Sequence, residues 1–196
     1  MSERGAEISR RTAETTIAVK LDIDGSGNYE ITTGVGFFDH MLSHIARHGY
    51  LDLAIKADGD LEVDAHHTVE DVGIVLGQAL KEAVGDKEGM VRFGLAACPM
   101  DEALVVAALD FGGRAHLSYQ LNLPTARVGE FDTELVREFF AALTANAGIS
   151  LHLTQEAGVN THHIIESAFK SFARALDQAT RLDPRSEDVP STKGKL

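Results

Sequence analysis

The chain has 196 residues, 44% hydrophobic, with a formal net charge of −12. That length fits one large domain or two small ones, and its apolar content suffices for a buried core. The acidic balance argues against nucleic-acid binding, which needs clustered Lys and Arg, but leaves room for a small anionic substrate. Cys98 is the single cysteine, so no internal disulfide forms and a reducing compartment is expected. The opening stretch MSERGAEISRRTAETT is polar, without the apolar centre of a signal peptide. No apolar run approaches the roughly 20 residues of a membrane span. These features predict a soluble, cytoplasmic protein with no membrane partner.

In chain order, residues 10–22 alternate and are rich in Thr, Ile and Val, which predicts a strand. Asp24-Gly25-Ser26-Gly27 is a hairpin signal, with the return strand at 28–34. Residues 36–48 read as a helix closed by Gly49 as a left-handed cap. Residues 50–57 alternate again. Asp64 can cap a helix running to about residue 84. The second half follows the same order: strands at 91–98 ahead of Pro99, at 103–110, and at 114–121 beyond a Gly112-Gly113 turn. A helix at 133–147 ends at Gly148, a strand spans 149–155, and a helix capped by Asn160 or Thr161 runs to 179. The stretches HHTVEDVGIVLGQAL and HHIIESAFKSFARAL match at both His, the Glu and the closing Ala-Leu, which points to internal duplication. The tail from residue 183 is polar, carries two prolines, and is expected to be irregular.

The duplicated element carries the chemistry. Residues four apart share a helix face, so His66 can meet Glu70 and His162 can meet Glu166. Neighbouring helical residues point about 100° apart, so His67 and His163 face elsewhere. Ligands offered in two directions favour two metal ions, each drawing on both repeats or on different subunits. His40 and His152 fit as completing ligands. The candidate set is then His40, His66, His67, Glu70, His152, His162, His163 and Glu166. Imidazole and carboxylate without thiolate suit Mn, Fe, Co, Ni or Zn. His48 is open to two readings, a contact at the site or a cation at a helix C-terminus. His116 is read as an ordinary histidine outside the site.

At these residues the chain resembles the imidazoleglycerol-phosphate dehydratase family of histidine biosynthesis. The matching stretches are RRTAETTIAVKLDIDGSG, TGVGFFDHMLSHIARHG, DAHHTVEDVGIVLGQAL, Cys98-Pro99-Met100-Asp101-Glu102, AGVNTHHIIESAFKSFARAL and the C-terminal Pro-Ser-Thr-Lys-Gly. The resemblance implies an α+β fold of the ribosomal protein S5 domain 2-like type. Two strand-strand-helix-strand-helix halves, residues 9–88 and 89–182, pack their helices between two mostly antiparallel four-stranded sheets, with a tail at 183–196. It implies one domain over 1–196, two Mn(2+) per subunit with no organic cofactor, and a homo-oligomer of 24 subunits with metal sites at subunit contacts.

The implied reaction is loss of water from D-erythro-imidazole glycerol phosphate, giving imidazole acetol phosphate. The difficulty is a proton on carbon beside an imidazole rather than a carbonyl. Holding the ring as imidazolate lets it expel the neighbouring hydroxyl through a diazafulvene-like intermediate. Catalytic candidates are Glu14, His44, Glu70 and Glu166. Substrate contacts are expected from Glu14, His40, His44, His48, His66, Glu70 and His162, and Arg92, Arg114, Lys170, Ser191 and Lys193 are implied as a phosphate cradle. Two other readings share the metal ligands: a dinuclear phosphate-ester hydrolase, and a metal store or sensor without turnover.

Overall fold

The computed structural model describes residues 4–194. Where one strand was expected over 10–22, two form: β1 (Gly5–Arg11) and β2 (Thr15–Asp22), antiparallel with Arg11 opposite Thr16. The reversal comes from Thr12, whose hydroxyl accepts the N–H of Glu14 at 3.1 Å and of Thr15 at 2.9 Å, a local turn that competes with the extended ladder. Glu14 therefore sits in a turn rather than on a strand.

β3 (Tyr29–Thr32) is not the return arm of a hairpin either. It lies parallel to β4 (Asp52–Gly59), with Tyr29 opposite Leu53, while β4 takes the free flank of β2. The cause is Asp52, whose Oδ1 accepts the N–H groups of Ser26 at 2.9 Å and Asn28 at 3.0 Å. The turn is thereby tied to the start of β4 and carried past β2. α1 (Gly36–Gly49) includes Gly49, and the left-handed residue is Tyr50 at φ 55°. Gly49 serves packing instead, since a Cβ there would lie 3.3 Å from the Ala173 carbonyl. α2 (His66–Val84) begins after Ala65, and the Asp64 carboxylate accepts the His66 N–H at 2.8 Å.

The second half comprises β5 (Phe93–Met100), β6 (Ala103–Asp110), β7 (His116–Gln120), a short hairpin of β8 (Arg127–Val128) and β9 (Phe131–Asp132), α3 (Leu135–Ala147), β10 (Ser150–Ala157) and α4 (Thr161–Thr180). β5 runs through Pro99 instead of stopping before it, because β5 is an edge strand where a missing donor is tolerated. β7 crosses to pair in parallel with β10 rather than with β6. Gly148 ends α3 in the left-handed region, and the Asn160 side chain caps α4, as expected.

The two sheets have orders β1-β2-β4-β3 and β5-β6-β10-β7, one topology used twice. In each, two pairings are antiparallel and the outermost is parallel. The first half thus carries three strands ahead of its first helix, one more than expected, and the second carries the three expected plus the short β8–β9 hairpin. The halves interlock through their helices: α2 lies on β1 and β2, α4 on β5 and β6, while α1 packs on α4 and α3 on α2. One hydrophobic core unites both halves, including Ile17, Val19 and Leu21 from β2 and Phe139, Phe140, Phe169 and Phe172 from the helices. As far as it is described, over 183–194, the tail lacks regular structure yet is tethered, for the Gly89 N–H donates to the Asp188 carbonyl and the Asp183 N–H donates to the Gly89 carbonyl.

Candidate active site

α1 presents His40, His44 and His48 one turn apart, and α4 opposes them with His162, Glu166 and Lys170. Glu166 is buried, and its Oε2 lies 3.2 Å from His162 Nε2 and 3.5 Å from His40 Nε2. Its Oε1 lies 2.5 Å from Lys170 Nζ and 3.5 Å from His44 Nε2. His40 and His44 face each other at 3.3 Å between their Nε2 atoms, and His44 stacks on His48 at 5.4 Å between centroids. The Phe37 ring packs edge-on against His162 at 5.1 Å.

This environment sets the charges. Burial alone would raise the Glu166 pKa, but the Lys170 ammonium, with His44 and His162 around it, holds the carboxyl down to about 2. Burial likewise pushes His44 down to about 4, against the attraction of Glu166, so the ring is neutral at neutral pH. His48 is lowered too, by burial and then by Lys170 and Arg174.

The ligand atoms of His40, His162 and Glu166 all lie within 4.8 Å of one another, the one such grouping of three among the described residues. Two imidazole nitrogens and an ionised carboxylate are a donor set that suits a divalent transition metal. The other predicted ligands are not gathered within one chain. His66 reaches Glu70 at 3.9 Å, with both side chains more than two-fifths exposed. His67 turns away, as expected, placing Nδ1 3.0 Å from Asp60 and Nε2 3.8 Å from Glu14. His163 places Nδ1 2.7 Å from Glu102 and Nε2 3.8 Å from Asp101. The His67 and His163 pKa values are raised, chiefly by the hydrogen bonds to Asp60 and Glu102. His152 stands exposed on β10, beside His116 at 5.5 Å between centroids. α3, the counterpart of α1, carries no histidine, so among the described residues nothing completes the His66–Glu70 pair as α1 completes His162–Glu166.

Four of the five predicted cradle residues, Arg92, Arg114, Ser191 and Lys193, line one open groove of about 780 Å³ where the tail crosses β5. Arg92 holds Asp110 through two bonds of 2.6 and 3.1 Å and donates to the Pro190 carbonyl at 2.8 Å. Its backbone sits at φ 75°, a conformation a non-glycine residue adopts only where its surroundings enforce it. Lys170 is apart from this groove, at Glu166. Asp60 and Glu102 are not among the residues the sequence marks as candidates. The signal was present for Glu102: the β5–β6 turn is the duplicate of the β1–β2 turn that carries Glu14.

Residues 33–176 match the family model described as imidazoleglycerol-phosphate dehydratase. The imidazoleglycerol-phosphate dehydratase of Dinoroseobacter shibae is 60% identical over 194 residues, covering 98% of this chain and 100% of its own. That of Desulforamulus reducens is 58% identical over 196 residues, covering both chains fully. Among solved structures, the Staphylococcus aureus dehydratase superposes with TM-score 0.83 at 41% identity, covering 91% of this chain and 99% of its own. The Pyrococcus furiosus enzyme, in complex with (S)-C348, gives TM-score 0.84 at 38% identity, covering 96% and 100%.

Proposed function

Since the chain belongs to the imidazoleglycerol-phosphate dehydratase family of hydro-lyases, we propose that it catalyses the metal-dependent conversion of D-erythro-imidazole glycerol phosphate to imidazole acetol phosphate and water in L-histidine biosynthesis. The observation that carries this reading is the convergence of His40, His44, His162 and Glu166 where α1 meets α4. In this reading the whole chain, 1–196, is one domain, with repeat halves 9–88 and 89–182 and a tail at 183–196.

Two divalent ions per subunit, manganese first among them, are held without any organic cofactor. His40, His162 and Glu166 form one group of ligands. His66, His67, Glu70, His152 and His163 stand at the surface of one chain and are completed by other copies in a cytoplasmic assembly of 24. Bound there, the ions supply Lewis acidity that favours the imidazolate form of the substrate ring.

The chain's own groups do the rest. The Glu14 carboxylate, 53% exposed at its side chain and 3.8 Å from His67, takes or returns the proton at the substrate carbon. Neutral His44 is able to accept a proton at a ring nitrogen, with His48 stacked behind it. Glu166, ionised at every physiological pH, serves as a ligand and not as a proton donor; Glu70, exposed on α2, keeps either role. Arg92 and Arg114 offer forked donors to the phosphate, and Ser191 and Lys193 close over it from the tail. Lys170, apart from that groove, keeps Glu166 charged.

The test is turnover of imidazole glycerol phosphate by metal-loaded protein, followed by product and phosphate analysis. Imidazole acetol phosphate should form without inorganic phosphate, at close to two bound ions per subunit. Released phosphate would favour a hydrolase, and full activity in rigorously metal-free protein would end the metal-dependent reading.

A further inference from the structure

The second histidine of each pair is gripped in the same way by a different residue. His67 Nδ1 lies 3.0 and 3.2 Å from the two Asp60 carboxylate oxygens, and His163 Nδ1 lies 2.7 Å from Glu102 Oε2. Asp60 follows β4, whereas Glu102 lies in the β5–β6 turn, so the two contacts are not copies produced by the duplication. Among the described residues, Nε2 of both rings is left without a hydrogen bond, its nearest carboxylate 3.8 Å away, beyond bonding range.

An ionised carboxylate can only accept. Nδ1 must then carry the hydrogen, and a neutral ring so fixed has its lone pair on Nε2. From this geometry we propose that Asp60 and Glu102 are positioning residues, which lock His67 and His163 in the tautomer whose Nε2 is free to bind a metal ion. The inference rests on the metal-dependent reading above and adds two residues to it. A carboxylate behind a ligating imidazole also raises the basicity of the ring and fixes its plane.

Glu102 permits a sharp test. Its Oε1 accepts the N–H groups of Val159 at 3.2 Å and Asn160 at 2.8 Å, while Oε2 alone faces His163. In Glu102→Gln the amide oxygen stays with the two backbone donors. The NH2 is then turned toward Nδ1, which must become an acceptor, and the hydrogen moves to Nε2. Loop geometry is kept while the ligand atom is blocked. Asp60→Ala is the second variant; among the described residues the Asp60 carboxylate has no hydrogen-bond partner but His67.

The measurement is manganese(II) affinity of the metal-stripped full-length chain, by competition with a chromophoric chelator, together with its thermal melting. Each variant should bind manganese about 10- to 100-fold more weakly at the affected site, with the melting of the stripped chain unchanged for Glu102→Gln. Parental affinity in both variants overturns the proposal while leaving the metal reading intact. Should Glu102→Gln fail to fold, Asp60→Ala alone decides, by the same two outcomes. Parent protein that binds manganese no better than His163→Ala overturns the metal reading, and the proposal with it.

Discussion

Glu14 owes its place to a hydroxyl. Thr12 folds the turn beneath it, the Asp60 N–H donates to its carbonyl at 3.2 Å, and the next residue, Thr15, donates its hydroxyl to buried Asp71, which also receives Arg10 at 2.7 Å. A carboxylate on so anchored a turn is suited to proton transfer, worth about 10²- to 10⁴-fold in rate. Glu14→Gln keeps size and loses basicity, so turnover should fall by about that factor while metal content stays at the parent value. Steady-state kinetics beside elemental analysis read the two separately, and undiminished turnover removes Glu14 from the chemistry. His44 makes a different prediction. Its folded pKa of about 4 lies below the ordinary 6.5, so the unfolded chain takes up the proton first. The stabilisation is complete above pH 6.5 and drains away as pH falls toward 4. Glu166, at about 2 against 4.5, holds its contribution above pH 4.5 and loses it as pH falls through 2. Melting temperatures of the metal-stripped chain should therefore decline in two stages on acidification. In His44→Gln the upper stage should flatten; a profile superimposable on the parent's would show that His44 has no such linkage.

Helix α2 is built to be approached. A Cβ on Gly73 would lie 2.7 Å from the Phe139 carbonyl, and one on Gly77 would lie 2.6 Å from that of Leu143. Alanine gains about 1 kcal/mol of helix propensity over glycine, but here the obstacle is backbone of α3 that cannot yield, and overpacking costs about 1–3 kcal/mol. Urea unfolding should show Gly73→Ala destabilised by about 1 kcal/mol or more. Gly36→Ala, with nothing within 4 Å, should be neutral or stabilising; equal effects would refute the close-packing account. The same helices show what the sequence could reveal. Side chains four apart meet by helical geometry alone, so His66–Glu70 and His162–Glu166 were readable, as were the alternation of β2 and the Asn160 cap. Whether a glycine stops a helix or admits a neighbour is decided by a distant element, which is why Gly49 reads as a cap in the sequence and serves packing in the fold. Strand neighbours are equally non-local: nothing near residue 28 says that Asp52 will pull β3 to the far edge. Asp60 and Glu102 reach their histidines through space, and the groove lined by Arg92, Arg114, Ser191 and Lys193 joins segments far apart in the chain. The resemblance to a family supplied that groove; periodicity could not.

At the scale of the molecule the asymmetry between the halves matters most. Duplication gave both α2 and α4 a His-His-x-x-Glu start, but only α4 faces a histidine-bearing helix within the chain. The His66–Glu70 pair is exposed, His152 stands on an outer sheet surface, and the loops leading into the two pairs expose Val63 at 66% and Val159 at 77%. On the proposed metal-dependent reading, these histidines and Glu70 are ligands left unfinished beside exposed apolar side chains, as a shared contact between copies would require. If ions complete those contacts, assembly is linked to metal by mass action: ligands that bind only the assembled state favour it, and their removal withdraws that stabilisation. A chelator should therefore shift sedimentation velocity from one large particle to smaller species, and manganese should restore it. Glu70→Gln should leave the His40–His162–Glu166 group intact yet weaken the particle, requiring more manganese for the same sedimentation coefficient. A profile unmoved by complete chelation, with metal loss verified by elemental analysis, would mean that no ligand is shared between copies and that each chain completes its ions alone.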